Sequence, residues 1–323
     1  MNFLAIAMGW VAIIIGVALP VATGAQDFPN RRVTLIVSNA PGAMQDMAAR
    51  MFAPRLQAIW GQPVVIEYKL GAGMVVGTDH VAKSASDGYT IGQVATPHVI
   101  NPSVRPNMPF DTVRDLSGVT MTTIGHVAII ATPSLEANTL AELIALAKRM
   151  PGKLSYATAG AGSSMHLTGE LLKIMTGIDM IHIPYKGSAA AFPDVIAGRI
   201  QVMVDSLASA LPSIKSGKLK PIAITSPKRS SIFPNIPTVA ELLPGFSMLS
   251  INGIVVPSAT PRAIVQRINA AYVAALQSPD VRAKMAELTL EPVGNTPEQF
   301  DAFIRTEIEK WAKVVKAAGI TAD

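Results

Sequence analysis

The sequence predicts an α/β protein whose sheets are rich in parallel strands. Short apolar runs alternate with segments of helical periodicity after residue 26, and this alternation is typical of βαβ units. Several of the runs are apolar throughout, as strands buried on both faces are. Hydrophobic residues make up 50% of the 323 positions, so the chain can bury one large core or two modest ones.

Nine apolar runs are predicted to form strands, because each is short and is bounded by turn-forming or polar residues. They are residues 33–38, 64–68, 90–94, 127–131, 154–157, 180–183, 200–205, 221–225 and 251–256. In folds of this class, ligands bind in the loops that follow the carboxyl ends of strands. Three polar features stand there: the first loop (residues 39–46), the second loop (residues 158–164) and Asp205.

Caps mark several predicted helix starts. Thr139 and Glu142 have the spacing of a capping box, which opens a helix that should run to about residue 150. Thr260 and Thr296 each precede a proline, and this pattern predicts an N-cap followed by proline at the first helical position.

Two further helices carry distinctive residues. Pro54 lies inside the helical run 44–60 and is predicted to kink or split it. The last helix should end before Gly319 and bury one apolar stripe. That stripe consists of Phe300, Phe303, Ile304, Ile308, Trp311, Val315 and Ala318.

The first 25 residues differ from the rest of the chain. Residues 3–19 are almost wholly apolar, and small residues at 23–25 suit a signal peptidase. We therefore expect residues 1–25 to be a signal peptide that directs export of the protein and is cleaved near Ala25. Because no Lys or Arg precedes Arg31, an uncleaved membrane anchor of marginal length is the alternative.

Composition excludes several classes of function. The absence of cysteine excludes disulfides, cysteine-ligated metals and cysteine nucleophiles. The net charge is +5, but the basic residues are scattered and only 5% of residues are aromatic, so we expect no nucleic-acid partner. The histidines lack metal-ligand spacing and no G-x-S-x-G motif occurs. We expect no metal, no cofactor and no catalytic residue.

The second loop is the strongest functional signal in the chain. Gly162, Ser163 and Ser164 lead from a predicted strand into a helix start. Such a loop aims unpaired N–H groups and the positive end of the helix dipole at one point, which favours a carboxylate or a phosphate. The two serines either donate to that ligand or cap the helix.

Eleven short motifs occur in an order that is known from one family. They are PG-x-x-x-D at 41–46, GQPVV at 61–65, GAG at 71–73, DGYT at 87–90, INP at 100–102, PGKL at 151–154, GSSMHLTGE at 162–170, PYKG at 184–187, SGK at 216–218, IPTV at 236–239 and EPVG at 291–294. Together they resemble the Bug-type periplasmic solute-binding proteins of tripartite tricarboxylate transporters, over residues 27–323.

The resemblance implies a two-domain, Venus-flytrap receptor with a ligand cleft between the domains. Residues 26–125 and 247–323 would form a discontinuous first domain, and residues 126–246 the second. The cleft would hold a small carboxylate through backbone N–H groups, hydroxyls and waters. The expected ligand-binding residues are Asn39, Gly42, Ala43, Gln45, Ala95, Thr96, Gly162, Ser163, Ser164 and Asp205.

The first loop departs from the family pattern. The family usually has Pro-Gly-Gly, a small or hydroxyl residue, Thr and Asp, where this chain has Pro-Gly-Ala-Met-Gln-Asp at 41–46. Asn39 replaces a common Phe, and residues 95–98 are less rich in glycine than usual. These changes leave the ligand open, although Met44 and Gln45 could suit a larger or aromatic acid.

The expected function is therefore an exported, non-enzymatic receptor for a small organic acid, which serves a membrane transporter or a sensor. One alternative is a hydrolase that uses Ser163 with His166, and another is a scaffold with a degenerate cleft. We expect His166 to form a surface or inter-domain pair. Asp46 should cap or charge the start of its helix, an indirect role rather than a ligand contact. Asp205 would either accept a hydrogen bond from the ligand or cap a turn.

Overall fold

A computed structural model describes residues 28–320; the predicted signal peptide lies outside the described residues. The strands are β1 (Val33–Val37), β2 (Val64–Tyr68), β3 (Thr90–Ala95), β4 (Leu116–Gly125), β5 (Val127–Ala131), β6 (Leu154–Thr158), β7 (Met180–Pro184), β8 (Val202–Ser206), β9 (Lys220–Ile224), β10 (Ser250–Pro257) and β11 (Glu291–Pro292). The helices are α1 (Met44–Trp60), α2 (Val75–Ala82), α3 (Pro97–Val104), α4 (Leu140–Arg149), α5 (Ser164–Thr176), α6 (Ser188–Ile196), α7 (Leu207–Lys215), α8 (Arg262–Leu276), α9 (Pro279–Glu287) and α10 (Pro297–Ala318).

The strands form two sheets, which confirms the predicted α/β class. The first has six strands in the order β11-β4-β10-β3-β1-β2, and the second has five in the order β7-β6-β8-β5-β9. Each sheet with its helices is called here the first or the second domain. The chain leaves the first sheet after β4 and returns to it at β10.

Parallel pairing places the candidate loops at the edges of the sheets. In the first sheet β1 is parallel to both β2 and β3, so the segments that follow these three strands lie at one edge. In the second sheet β6 is parallel to β7 and β8, and the second loop shares an edge with Asp205. The sheets are mixed, because β10 runs antiparallel to β3 and β4, and β5 runs antiparallel to β8 and β9.

The ten-residue strand β4 is absent from the sequence prediction. Its threonines are buried and take long-range hydrogen bonds. Thr120 Oγ1 donates to the Asn295 carbonyl at 2.9 Å, and Thr123 Oγ1 accepts from Asn252 Nδ2 at 3.2 Å. Since these partners lie more than 120 residues away in sequence, the local pattern of β4 reads as polar although the strand is central.

The helix boundaries follow the predicted caps with one exception. Thr139 and Thr296 both form capping boxes. Thr260 is not an N-cap: α8 starts at Arg262, because the Pro261 carbonyl accepts the first helical hydrogen bond. Pro54 does not split α1, which continues through it as one element; the alternative, a kink, stays a prediction.

The last helix ends as predicted, with Gly319 in the left-handed conformation. Helix α10 packs against α3 and β4 of its own domain and also contacts α5 of the second domain. Within residues 28–320, no helix combines the length and the apolar character that crossing a membrane requires.

Candidate functional site

The first loop is held by a buried carboxylate. Asp46 accepts hydrogen bonds from the Gly42 N–H at 2.7 Å, from Tyr68 OH at 2.6 Å and from Arg50 Nε at 2.9 Å. Burial acts to raise the pKa of Asp46, but these hydrogen bonds and the Arg50 charge outweigh it, and the net pKa is lowered. The predicted indirect role of Asp46 agrees with this geometry, because it holds the loop rather than facing an open space.

The polar groups of the first loop are mostly engaged within the protein. The Gly42 N–H bonds Asp46, and the Ala43 N–H bonds the Ala40 carbonyl at 3.1 Å. Asn39 is exposed and is the second residue after β1. The N–H groups of Met44 and Gln45 belong to the first turn of α1, so they have no acceptor within their own helix.

The side chain of Gln45 ties α1 to β3. Its Nε2 donates to the Gln93 carbonyl at 2.6 Å, and Gln93 Nε2 returns a hydrogen bond to the Gln45 carbonyl at 2.8 Å. Both residues are 2% exposed. The Nε2 group of Gln45 therefore fixes the start of α1, whereas its buried Oε1 has no hydrogen-bond partner among the described residues.

Ser163 is the N-cap of α5. Its Oγ accepts from the His166 main-chain N–H at 3.2 Å and donates to the Gly160 carbonyl at 2.7 Å. Ser164 Oγ meets only the thioether of Met165, a weak acceptor, at 3.0 Å. Ser163 therefore caps the helix, as the capping alternative predicts. The Ser164 hydroxyl has no strong hydrogen-bond partner and can still donate to a ligand.

The second loop forms one side of a cleft that both domains line. Its volume is about 380 Å³, and residues 161–164 of the second domain form one wall. The opposite wall belongs to the first domain and consists of Gly73, Pro97, Ile100, Asn101, Val104 and Arg105. The first loop does not line this cleft, so its predicted contact with the same ligand stays a prediction.

Arg105 is a cleft residue that the sequence analysis missed. Its side chain lines the wall opposite Ser164, and its buried Nε has no hydrogen-bond partner among the described residues. A guanidinium that lines a cleft without a carboxylate partner attracts anions. No local sequence pattern distinguishes Arg105 from the other basic residues, because its neighbours in space come from another segment.

That segment is the turn at residues 71–74, which adopts a strained conformation. Ala72 and Met74 have positive φ angles of 46° and 78°, which cost energy for residues with a Cβ atom. Asn101 Nδ2 donates to the Gly73 carbonyl at 2.9 Å and so fixes the turn to α3. A Cβ added to Gly73 would stand 2.9 Å from Arg105 Nη2, so this glycine leaves room for the guanidinium.

The remaining predicted residues do not line this cleft. Thr96 Oγ1 accepts from the Ile251 N–H and donates to the Leu249 carbonyl, which secures the return of the chain to the first sheet. Ala95 ends β3 and pairs with Asn252 of β10.

Asp205 is 2% exposed, and its carboxylate accepts from Ser188 Oγ and Ser209 Oγ, each at 2.8 Å. Burial raises its pKa, against the effect of these hydrogen bonds. Asp205 thus links the starts of α6 and α7.

His166 and His182 stack on each other below the second loop, with ring centroids 3.7 Å apart. Both belong to the second domain, so their stack is not an inter-domain pair. His166 Nε2 also lies 3.9 Å from Glu170 Oε1 on the same helix, and each of these two side chains is 12% exposed. In the part of the chain that the structure describes, no three His, Asp or Glu side chains are grouped to hold a metal ion.

Comparison with known proteins decides the family. A family model described as "Tripartite tricarboxylate transporter family receptor" matches residues 48–320. The chain belongs to this receptor family. The matched range begins just after the first loop, which is the segment where the sequence departs from the family pattern.

Individual relatives agree with this assignment over nearly the whole chain. Protein BugT of Bordetella pertussis is 38% identical over 307 residues, which cover 94% of each protein. An R. palustris protein solved with adipate is 34% identical, covers 91% of this chain and 99% of its own, and superimposes with a TM-score of 0.74. A ligand-free TctC solute-binding protein from Polaromonas is 25% identical, covers 90% and 99%, and has a TM-score of 0.83.

Proposed function

We propose that this receptor works in the periplasm, where it captures a small organic acid between its two domains without changing it chemically. It would then deliver the acid to a membrane transporter or signal its presence to a sensor. The observation that carries the proposal is the start of α5 at a cleft whose opposite wall contains Arg105. A helix N-terminus and a guanidinium that face each other across one space favour an anion.

Main-chain N–H groups would supply most of the hydrogen bonds to the acid. Burying a carboxylate is costly unless its oxygens are hydrogen-bonded. The first turns of α1 and α5 offer the N–H groups of Met44, Gln45, Ser164 and Met165, which have no acceptor within their helices. We assign the ligand contact of the first loop to these helical N–H groups, because the N–H groups of Gly42 and Ala43 are already engaged.

The remaining predicted contacts have a supporting role in this proposal. Gly162 and Ser163 shape the second loop, and Thr96 with Ala95 places α3 at the cleft. Asn39 and Asp205 are proposed as contacts that form when the domains close, since they lie at the carboxyl edges of the two sheets.

We propose domain boundaries at residues 125/126 and 246/247, with residues 26–125 and 247–323 as the first domain. Near this boundary Glu291 Oε1 accepts hydrogen bonds from Ser230 Oγ at 2.5 Å, from the Ser231 N–H at 2.9 Å and from His126 Nε2 at 3.0 Å. These bonds connect β11 of the first domain to the second domain beside both chain crossings. They suit a hinge that keeps its contacts while the cleft opens and closes.

Closure on the ligand is part of the proposal. A ligand that touches both domains favours the closed state by its differential affinity.

The geometry of Ser163 favours a receptor over a hydrolase. A serine nucleophile needs its hydroxyl hydrogen-bonded to a base. Ser163 Oγ donates instead to the Gly160 carbonyl, and the His166 ring accepts from the Gly162 N–H. The hydroxyl and the imidazole are thus each hydrogen-bonded to the backbone of the loop and not to each other.

A panel of carboxylates in a thermal-shift assay tests the proposed function. Adipate is the first probe, because a protein 34% identical was solved with it, and malate and an aromatic acid extend the panel. A ligand at one hundred times its Kd stabilises the folded state by about 2.7 kcal/mol, so at least one acid should raise Tm by several degrees. If no acid raises Tm at millimolar concentration, the cleft is degenerate and the scaffold alternative holds.

A further inference from the structure

The stacked histidine pair lies directly below the second loop, and the proposed capture of the acid makes no use of it. His166 comes from α5 and His182 from β7, and their ring planes differ by 10°. The side chain of His166 is 12% exposed. Two imidazoles at this separation are favourable neighbours only while they are not both charged.

The His166 ring holds the backbone of the loop. Its Nδ1 accepts a hydrogen bond from the Gly162 N–H at 3.1 Å. An imidazole nitrogen accepts only when it carries no proton, so the neutral ring has its proton on Nε2. That Nε2 lies 3.9 Å from Glu170 Oε1.

The His182 ring holds the other end of the same loop. Its Nε2 lies 2.7 Å from Thr158 Oγ1. The same hydroxyl oxygen lies 3.2 Å from the Gly160 carbonyl oxygen and 3.4 Å from the Gly160 nitrogen. Together the two rings determine the conformation of residues 158–162, and therefore the direction in which α5 presents its first N–H groups.

We propose that His166 is a positioning residue for the bound acid, whose unprotonated imidazole keeps the second loop in its ligand-binding conformation. Protonation of Nδ1 would place a ring N–H against the Gly162 N–H, so the hydrogen bond would be lost and the loop would move. The receptor would then release its acid in acidic medium. This inference rests on the proposed function, because it concerns the same binding loop.

The surroundings of the pair show which charges act on it. Burial lowers the pKa of His166, Glu170 opposes this effect, and Lys173 adds to it. Burial and the neighbouring His166 lower the pKa of His182 to about 4. Glu170 is shared, since it also accepts from Tyr156 OH at 2.6 Å and from Lys173 Nζ at 2.9 Å.

Nuclear magnetic resonance on the ligand-free protein tests the hydrogen bond between the Gly162 N–H and His166 Nδ1 without any acid. Above pH 7, the nitrogen shifts of His166 should show an unprotonated Nδ1 and a protonated Nε2. As the pH falls, the Gly162 amide resonance should move with the same midpoint as the His166 ring. The Gly42 amide is the internal control, because its acceptor is the Asp46 carboxylate, and it should not move in that range. A proton on Nδ1, or a Gly162 resonance that ignores the titration of His166, would overturn the proposal.

Two variants of His166 test whether its imidazole positions the second loop for the acid or only stabilises the fold. His166→Asn keeps an acceptor near the position of Nδ1 but cannot titrate, whereas His166→Ala removes the acceptor. By calorimetry with adipate at pH 7.5, His166→Ala should bind about tenfold more weakly, and His166→Asn should stay within about twofold of the wild type. As the pH falls from 7.5 through the titration midpoint of His166, which nuclear magnetic resonance provides, the ratio of wild-type to His166→Asn affinity should fall. Titration of the acid itself cancels in this ratio.

The outcomes distinguish this inference from the proposed function. A constant affinity ratio with pH, or equal weakening by Asn and Ala, would contradict the role of His166. If the wild type does not bind adipate or any other acid of the panel, the proposed function fails. The titration of the Gly162 resonance then still tests whether His166 holds the second loop.

Discussion

The two loops share one construction but are held by different chemistry. In each loop a glycine with positive φ donates its N–H to a side chain four residues later in the chain. Gly42 donates to the Asp46 carboxylate at 2.7 Å, and Gly162 donates to the His166 imidazole at 3.1 Å. A carboxylate of lowered pKa keeps its acceptor down to strongly acidic pH, whereas an imidazole loses its acceptor when it takes up a proton.

The residue after each glycine shows a second difference. Ala43 and Ser163 both have a φ of −69° and an extended ψ, so both occupy the N-cap position. Ser163 caps its helix with its hydroxyl, and Ala43 has no side chain that could do so. The comparison teaches that one backbone geometry can be stabilised by charge in one domain and by neutral groups in the other.

Removal of the Asp46 carboxylate should have the largest effect on stability. Asp46→Ala leaves the Gly42 N–H and Tyr68 OH without their acceptor, and it should lower the free energy of unfolding by about 3 kcal/mol. Urea denaturation measures the change. Asp280→Ala is the control, because Asp280 forms an exposed ion pair with Arg55 and should shift the urea midpoint far less. Equal shifts would mean that Asp46 does not hold the first loop.

Acid should destabilise the whole protein through a histidine that neither loop uses. Burial lowers the pKa of His98 in the first domain to about 4. The unfolded chain takes up this proton near pH 6.5 and the folded chain only near pH 4, so stability falls as the pH falls through that window. The loss should reach about 3 kcal/mol.

Urea midpoints of the wild type and of His98→Leu, measured from pH 7.5 to 4, test how much His98 contributes to the loss of stability in acid. The variant should show a flatter pH dependence. If its profile matches that of the wild type, the stability change has another source, and the second loop becomes the first candidate.

Arg105 should affect ligand affinity without a comparable effect on folding. Its guanidinium faces the second loop across the cleft and has no hydrogen-bond partner for its buried Nε among residues 28–320. Arg105→Ala should weaken binding of the panel acids about tenfold by calorimetry. Arg114→Ala is the control for lost charge, since the Arg114 side chain is 75% exposed. Similar losses in both variants would indicate general attraction rather than a contact.

The smallest expected effects come from exchanging the two N-caps. Ser163→Ala should lower the free energy of unfolding by about 1 kcal/mol, and Ala43→Ser should raise it by up to the same amount. Urea denaturation of the two single variants tests the predicted opposite signs. If Ala43→Ser destabilises the protein, the first loop cannot accept a side-chain cap. The two loops would then share only their backbone conformation.

The fold could be predicted from the sequence wherever local patterns decide it. Strand β5 agrees with the predicted run because it is apolar throughout and fully buried. Strand β4 was missed because its threonines are satisfied by Asn252 and Asn295, which are distant in sequence. Thr260 was misassigned because only the three-dimensional structure shows which carbonyl opens α8.

The site was predictable in outline but not in detail. The glycine and serine pattern identified the second loop, since it reflects a helix start. The same pattern could not separate the capping role of Ser163 from a ligand contact, because both use the same hydroxyl. Arg105 and His166 could not be assigned, since their roles depend on the turn at residues 71–74 and on the stack with His182.

The central claim is that the first-turn N–H groups of α1 and α5 hold one acid between the two domains. A crystal structure with the panel acid that raises Tm most tests it directly. We predict carboxylate oxygens about 3 Å from the Ser164 nitrogen and from the Met44 or Gln45 nitrogen, with the domains closed. An acid bound to one domain only, or away from both helix starts, would contradict the account.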